Sequence, residues 1–135
     1  MRDVRNLLIT HIHLDHAGAA GSIVERVPSI GLHVHERGAP HLVDPAKLLA
    51  SATRLYGDQM DALWGAFLPV PLANVKVLTG GERVATAGTT LRVAYTPGHA
   101  KHHVSYLDET TGTAYVGDTG GIRVSGDYLI APTPP

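Results

Sequence analysis

The run His11-Ile12-His13-Leu14-Asp15-His16 sets three imidazoles and one carboxylate within six positions, directly behind the apolar triplet Leu7-Leu8-Ile9. An uninterrupted apolar run of this kind suits a strand covered on both faces, so residues 4–10 read as a short strand and the polar run must leave it as a loop. Four ligand-type side chains crowded at a strand's end are hard to satisfy among themselves, which points to a bound metal ion over a solvated loop. In a tight loop His11 and His13 can point one way while Asp15 and His16 turn toward a neighbouring point, so one segment offers two ligand sets.

The rest of the chain mixes helix and strand patterns without strict alternation. Residues 17–27 have helical spacing (Ala20, Ile23, Val24, Val27) and stop at Pro28. Residues 30–35 alternate, with Ile30, Leu32 and Val34 on one face of a half-buried strand and His33 and His35 on the other. Apolar residues recur at helical spacing between 36 and 68, broken at Pro45 and around Gly57, which predicts two or three short helices. Strands are predicted over 75–78, 89–95, 103–107 and 113–116, with turns at Gly80-Gly81 and Thr111-Gly112 and a hairpin joining the last pair. Residues 131–135, Ala-Pro-Thr-Pro-Pro, read as an extended tail. A chain of 135 residues supports one domain over 1–135 and not two.

Two further clusters follow predicted strands. Pro97-Gly98 sets a sharp turn that can bring His99 to a strand edge on the side of the first motif. A site of His11, His13 and His99 has three nitrogens and one open position, the feature that separates a catalytic zinc from a structural one. Gly117-Asp118 places a carboxylate at a third strand's end, where its two oxygens could span two metals. Imidazole and carboxylate donors suit Zn²⁺, Fe²⁺ or Mn²⁺.

Composition narrows the function classes. With no cysteine there is neither a disulfide framework nor a thiolate ligand or nucleophile. A net charge of −1 supplies no global field toward nucleic acid or an anionic bilayer, and no apolar run approaches the roughly 18 residues of a membrane span. The expectation is a cytoplasmic protein acting on a small-molecule substrate, with nucleic acid disfavoured, no membrane partner and the oligomeric state open. No Gly-x-Ser-x-Gly supports a serine hydrolase, and Gly80-Gly81 reads as a hairpin turn and not a phosphate loop. His33 and His35 are expected to be structural, and His41 solvent-facing on a helix. His102 and His103 follow the Pro97-Gly98 turn, and Met60, Leu63, Trp64, Phe67 and Leu68 are expected to form a core or lid stripe, with the lining of a substrate pocket as the alternative.

The segments His11-x-His13-x-Asp15-His16-x-Gly18, Thr96-Pro97-Gly98-His99 with His103-x-Ser105-Tyr106, and Gly117-Asp118-Thr119 resemble, in order and character, the metallo-β-lactamase superfamily. The resemblance spans about residues 4–120 and implies an α/β fold, an αββα sandwich with a metal site at its edge, here incomplete at both ends. By position it implies that His11, His13 and His99 hold one metal and Asp15 and His16 the other, with Asp118 bridging and His103, at a position that is usually not a ligand, orienting one from behind. Two zinc ions per complete domain are expected, with Fe²⁺ or Mn²⁺ as substitutes. The implied activity is hydrolysis of an ester, thioester, lactone or phosphodiester by a metal-activated hydroxide, with Asp15 as a catalytic group that orients water or passes a proton. The pattern looks closest to the glyoxalase II, lactonase and ribonuclease Z branches. Members usually have strands before the first motif and a later His for the second metal, whereas here no His follows His103. Two rival readings are a mononuclear-iron oxygenase resembling the persulfide dioxygenase branch and a metal-binding fragment without turnover.

Overall fold

A computed structural model describes residues 4–126 and 128–130; residues 131–135, the expected tail, lie outside the described residues. Strand β1 (Asn6–Leu8) pairs in parallel with β2 (Gly31–His35), and β2 in parallel with β3 (Val75–Leu78). Parallel neighbours require helical crossovers. Helices α1 (Leu14–Ala17) and α2 (Ala20–Arg26) join β1 to β2. Helices α3 (Ala39–Val43), α4 (Ala46–Tyr56) and α5 (Met60–Trp64) lie between β2 and β3, the breaks falling at Pro45 and Gly57 as the sequence predicts.

The second sheet is antiparallel, in the order β4 (Arg83–Ala85), β5 (Thr90–Tyr95), β6 (Val104–Asp108) and β7 (Thr113–Tyr115). The predicted β6–β7 hairpin is present, but β4 is a strand that pattern reading missed, being only three residues with one buried position, Val84. A separate two-stranded ribbon, β8 (Ile122–Ser125) and β9 (Tyr128–Ile130), follows and was likewise not foreseen.

Both faces of β1 are covered, as its apolar run requires. Leu7 packs with Ile12, Val24, Leu32, Val34 and Leu42 in a core between the parallel sheet and its helices, and Leu8 packs with Leu78, Val84, Leu91, Val93, Val104 and Tyr106 between the two sheets. The layers are therefore helix, sheet, sheet. The outer face of the antiparallel sheet carries Arg83 and Arg92, both paired with Glu109 at 2.7 and 3.3 Å. Backbone and side-chain bonds tie the sheets together. Tyr106 Oη donates to the Ile9 carbonyl at 2.7 Å, and the Val104 amide donates to the Thr10 carbonyl at 2.8 Å. Burial raises the Tyr106 pKa, so the phenol stays a donor at any ordinary pH.

Gly80-Gly81 corrects one sequence expectation. It is not a hairpin turn, because β3 and β4 belong to different sheets and the chain crosses between layers there. The crossing is held by Glu82, whose carboxylate accepts bonds from the Thr79 amide (2.6 Å), the Thr79 hydroxyl (2.7 Å) and the Gly80 amide (2.8 Å). Burial alone would raise the Glu82 pKa, but these bonds outweigh it and hold the carboxyl down at about 2. A depressed carboxylate stabilises the fold above its unfolded pKa and loses that contribution as pH falls toward the folded value. Glu82→Gln is expected to lower the melting temperature by about 5 °C at pH 7, corresponding to about 1–2 kcal/mol. Thermal unfolding at pH 7 and pH 2.5 checks this, since the difference between variant and parent should shrink at the lower pH, where the carboxyl nears its folded pKa.

Candidate metal centre

Three chain segments meet at the edge of the two sheets. The first leaves β1 at Thr10 and is not a plain loop. His13 is extended (φ −61°, ψ 153°) and its carbonyl accepts the amides of His16 (3.0 Å) and Ala17 (2.9 Å), so Asp15 and His16 sit on the first turn of α1. The expectation of a polar loop over 11–16 is corrected accordingly. The half-extended, half-helical path is what turns His11 and His13 one way and His16 another.

The second segment, between β5 and β6, is drawn to the first by the bond between Val104 and Thr10 at its end. It closes on itself through bonds from the Thr96 amide to the His103 carbonyl and from the His103 amide to the Ala100 carbonyl, both 3.1 Å. Tyr95 braces it by donating to the Lys101 carbonyl at 2.9 Å while its ring stacks on His35 at 4.4 Å. His35 thus has the structural role expected of it, and His33 pairs with Asn6 at 3.0 Å away from the cluster.

The third segment is the 3-10 turn Gly117–Gly120 after β7. Gly117 has φ +49°, and a Cβ there would lie 2.6 Å from Thr10 Oγ1 and 2.7 Å from His103 Nε2. Only glycine lets this backbone approach both motifs and deliver Asp118.

The imidazoles of His11, His13 and His99 converge, with one ligand nitrogen from each within 4.8 Å of the others. His13 Nδ1 and His99 Nε2 are 2.9 Å apart, and the His11 ring lies 4.6 and 4.9 Å from theirs. A second group joins His11 with His16 and Asp118 under the same limit. The Asp118 carboxylate stands between the groups, Oδ1 at 3.1 Å from His16 Nε2 and Oδ2 at 3.5 Å from His99 Nε2. Asp15 is outside both groups. Its carboxylate is more than half exposed and meets His16 Nε2 at 3.4 Å.

The donor chemistry fits a divalent ion. His11 is fully buried, with Nδ1 at 3.0 Å from Thr10 Oγ1 and a buried Nε2 that has no hydrogen-bond partner. In the tautomer whose Nδ1–H donates to the Thr10 hydroxyl, the Nε2 lone pair is left to the cluster of His13, His99, His16 and Asp118. Burial, followed by the neighbouring His16 and His13, pushes the His11 pKa down to about 2, so the ring is neutral and able to ligate. Burial and His99 lower His13 against the opposing pull of Asp15. A buried ring nitrogen left unbonded beside other imidazoles, a state that His103 Nε2 shares, matches the open coordination such donors offer zinc, iron or manganese.

His103 is also fully buried, its Nδ1 3.0 Å from Thr96 Oγ1, which in turn lies 2.9 Å from Ser105 Oγ. Its ring lies 5.0 Å from that of His11. It packs behind the ligand set, the place the sequence suggested for it. His102 Nδ1 faces the Ile12 amide at 3.4 Å. Burial, then neighbouring His13 for His102 and His99 for His103, lowers both to about 4.

The cluster opens into a cavity of about 610 Å³ that His13, Asp15, His99, His102 and Asp118 line from one side. Its other wall was not legible in the sequence: it is one face of α4, together with His41 of α3. His41 therefore faces the cavity and not simply solvent, which corrects that expectation. The expected stripe is divided. Phe67 packs against the helix-side core, Leu63 is 52% exposed, and Trp64 sits edge-on to Tyr56 at 5.3 Å, leaving α4 and not α5 on the cavity.

Comparisons with known proteins agree with this geometry. The model of the metallo-beta-lactamase superfamily matches residues 2–134. The metallo-beta-lactamase fold-containing protein ST1585 of Sulfurisphaera tokodaii is 30% identical over 132 residues, covering 96% of this chain and 49% of that protein. Its crystal structure superposes with a TM-score of 0.83 at 27% identity, covering all of this chain and 52% of that one. A hydroxyacylglutathione hydrolase of Synechococcus is 28% identical over 110 residues, covering 82% of this chain and 32% of the enzyme. The structure of TTHA1623 in a di-iron-bound form matches with a TM-score of 0.63 at 30% identity, covering 87% of this chain and 50% of that one. The chain spans about half the length of curated relatives that match nearly all of it. With all three histidine and aspartate segments converging and a family match over nearly every residue, the chain belongs to the metallo-beta-lactamase superfamily.

Proposed function

We propose that this chain carries the metal site of a hydrolase acting on an ester, thioester, lactone or phosphodiester. The observation that carries the reading is the buried, unpartnered Nε2 of His11 facing His13 and His99, with Asp118 presenting one oxygen to His99 and the other toward His16. His11, His13 and His99 would hold one metal, and His16 and Asp118 would contribute donors to a second. Zinc is the first choice for these donors, and the di-iron form of TTHA1623 supports iron as an alternative. Bound there, a divalent metal supplies Lewis acidity for the scissile carbonyl or phosphoryl oxygen and acidifies water.

The chain's own groups do the rest. Asp15 borders the cavity with an exposed carboxylate, placed to accept a proton from the attacking water and return it to the leaving group. Thr10 fixes the His11 ring, and the Thr96–His103 contact packs the rear of the cluster. The relatives named hydroxyacylglutathione hydrolase and thioesterase support an acyl substrate over a phosphodiester.

Chelation followed by reconstitution tests the reading. Exhaustive treatment with a chelator should remove metal and abolish turnover of an ester, thioester and lactone panel, and Zn²⁺, Mn²⁺ or Fe²⁺ should restore it. Full turnover in metal-free protein overturns the proposal. Oxygen consumption with a thiol persulfide and no bond hydrolysis would establish the oxygenase instead.

A further inference from the structure

Helix α4 has an apolar face that the core uses only at Leu48. Its eleven residues include none that is buried, and Leu55 is 76% exposed. Yet Leu48, Ala52, Leu55 and Tyr56 fall on one side of the helix at intervals of three and four and, with Lys47 and Ser51 beside them, line the cavity into which His13, His99 and Asp118 open. Apolar wall and ligand cluster therefore border a single space. Its volume lies within the range of about 300–1,000 Å³ typical of small-ligand sites, so one molecule can touch both.

We propose that this face is an acyl-binding wall, and that the substrate is an ester or thioester of a linear, medium-length carboxylic acid whose chain lies along α4. The assignment rests on the hydrolase reading above for the reacting carbonyl, but the wall is a separate structural feature. From Leu48 to Leu55 the helix rises about 10 Å, which an extended chain of roughly eight carbons covers. A macromolecular partner fits less well, because the apolar face looks across the cavity at the histidines. Leu48 also packs against the helix-side core, anchoring the inner end of the wall, while Leu55 is its exposed end.

Binding reads the wall without any need for turnover. Straight-chain carboxylates from butyrate to decanoate are titrated calorimetrically into metal-free and zinc-loaded protein, with emission of Trp64 as a second signal. Trp64 is the only tryptophan, and it touches the cavity residue Tyr56. Affinity should rise about threefold per methylene, reaching a plateau near octanoate. Leu55→Gln, at an exposed position that folding does not depend on, should flatten this dependence. Ala52→Trp should weaken octanoate at least tenfold, with a loss that grows with chain length. An affinity independent of chain length, or an unchanged dependence in Leu55→Gln, overturns the wall. The same series as p-nitrophenyl esters separates the two proposals. Length-dependent binding with no ester turned over supports the wall and overturns the hydrolase, whereas turnover indifferent to chain length overturns the wall and supports the hydrolase.

Discussion

Replacing His13 with alanine is expected to reduce bound metal to less than about a tenth of the parent value and turnover of any accepted ester at least about a thousandfold. The fold should survive. What His13 contributes to α1 is its backbone carbonyl, which alanine keeps, while its ring is a half-buried member of the cluster and not part of either apolar core. Loss of the ring leaves His11 and His99 as a two-nitrogen pair and removes the 2.9 Å neighbour of His99. His33→Ala is the matching control: that ring pairs with Asn6 away from the cavity, so metal content should stay close to the parent value. Metal analysis after dialysis, together with circular dichroism to verify folding, decides the matter. A His13→Ala protein that keeps both metal and activity would sink the site assignment.

Acid is expected to unfold the metal-free protein through the same histidines. In the unfolded chain an imidazole titrates near 6.5, whereas burial holds His102 and His103 at about 4 and His11 at about 2. Between pH 6.5 and pH 4 the unfolded state therefore binds more protons than the folded one, so stability rises with pH and is lost on acidification. Each fully discriminated histidine contributes about 1.4 kcal/mol per pH unit, and three acting together about 4 kcal/mol per unit. A domain of ordinary stability, about 5–15 kcal/mol, would lose much of it within two units. Urea unfolding at pH 7, 6 and 5 measures the slope. A stability unchanged between pH 7 and pH 5 would show that these rings are not buried in their neutral form. Glu82 and Asp108 add a second, lower phase. Asp108 is held below the usual carboxylate range by the Thr89 hydroxyl and by the Thr110 and Thr111 amides. Those carboxylates lose their contribution only as pH falls below about 4.

How much of this was legible beforehand varies from element to element. The apolar triplet Leu7-Leu8-Ile9 foretold a doubly covered strand because continuous apolar runs have few other places to go. Strands β3, β5, β6 and β7 were readable from alternation and turn chemistry. Strand β4 was not, since three residues with one buried side chain carry too little pattern. The Gly80-Gly81 segment was misread as a hairpin because glycine marks a change of direction without saying which sheet the chain enters next. The helical turn at Leu14–Ala17 was hidden for a similar reason: a motif dense in histidine has no apolar period to reveal it.

At the site, the sequence alone determined the candidate ligands. His11, His13, Asp15, His16, His99 and Asp118 stand out because imidazoles and carboxylates at the ends of apolar strands have chemistry that side-chain packing does not explain. Which of them meet was decided only in three dimensions. The Val104–Thr10 bond and the glycine at 117 bring segments a hundred residues apart to one edge, and the resulting geometry sets Asp118 between His16 and His99 while leaving Asp15 exposed. The cavity wall on α4 was decided there too. A helical period shows that a helix has an apolar face, but whether that face turns to a core or to a ligand space depends on contacts between distant elements that no local pattern encodes.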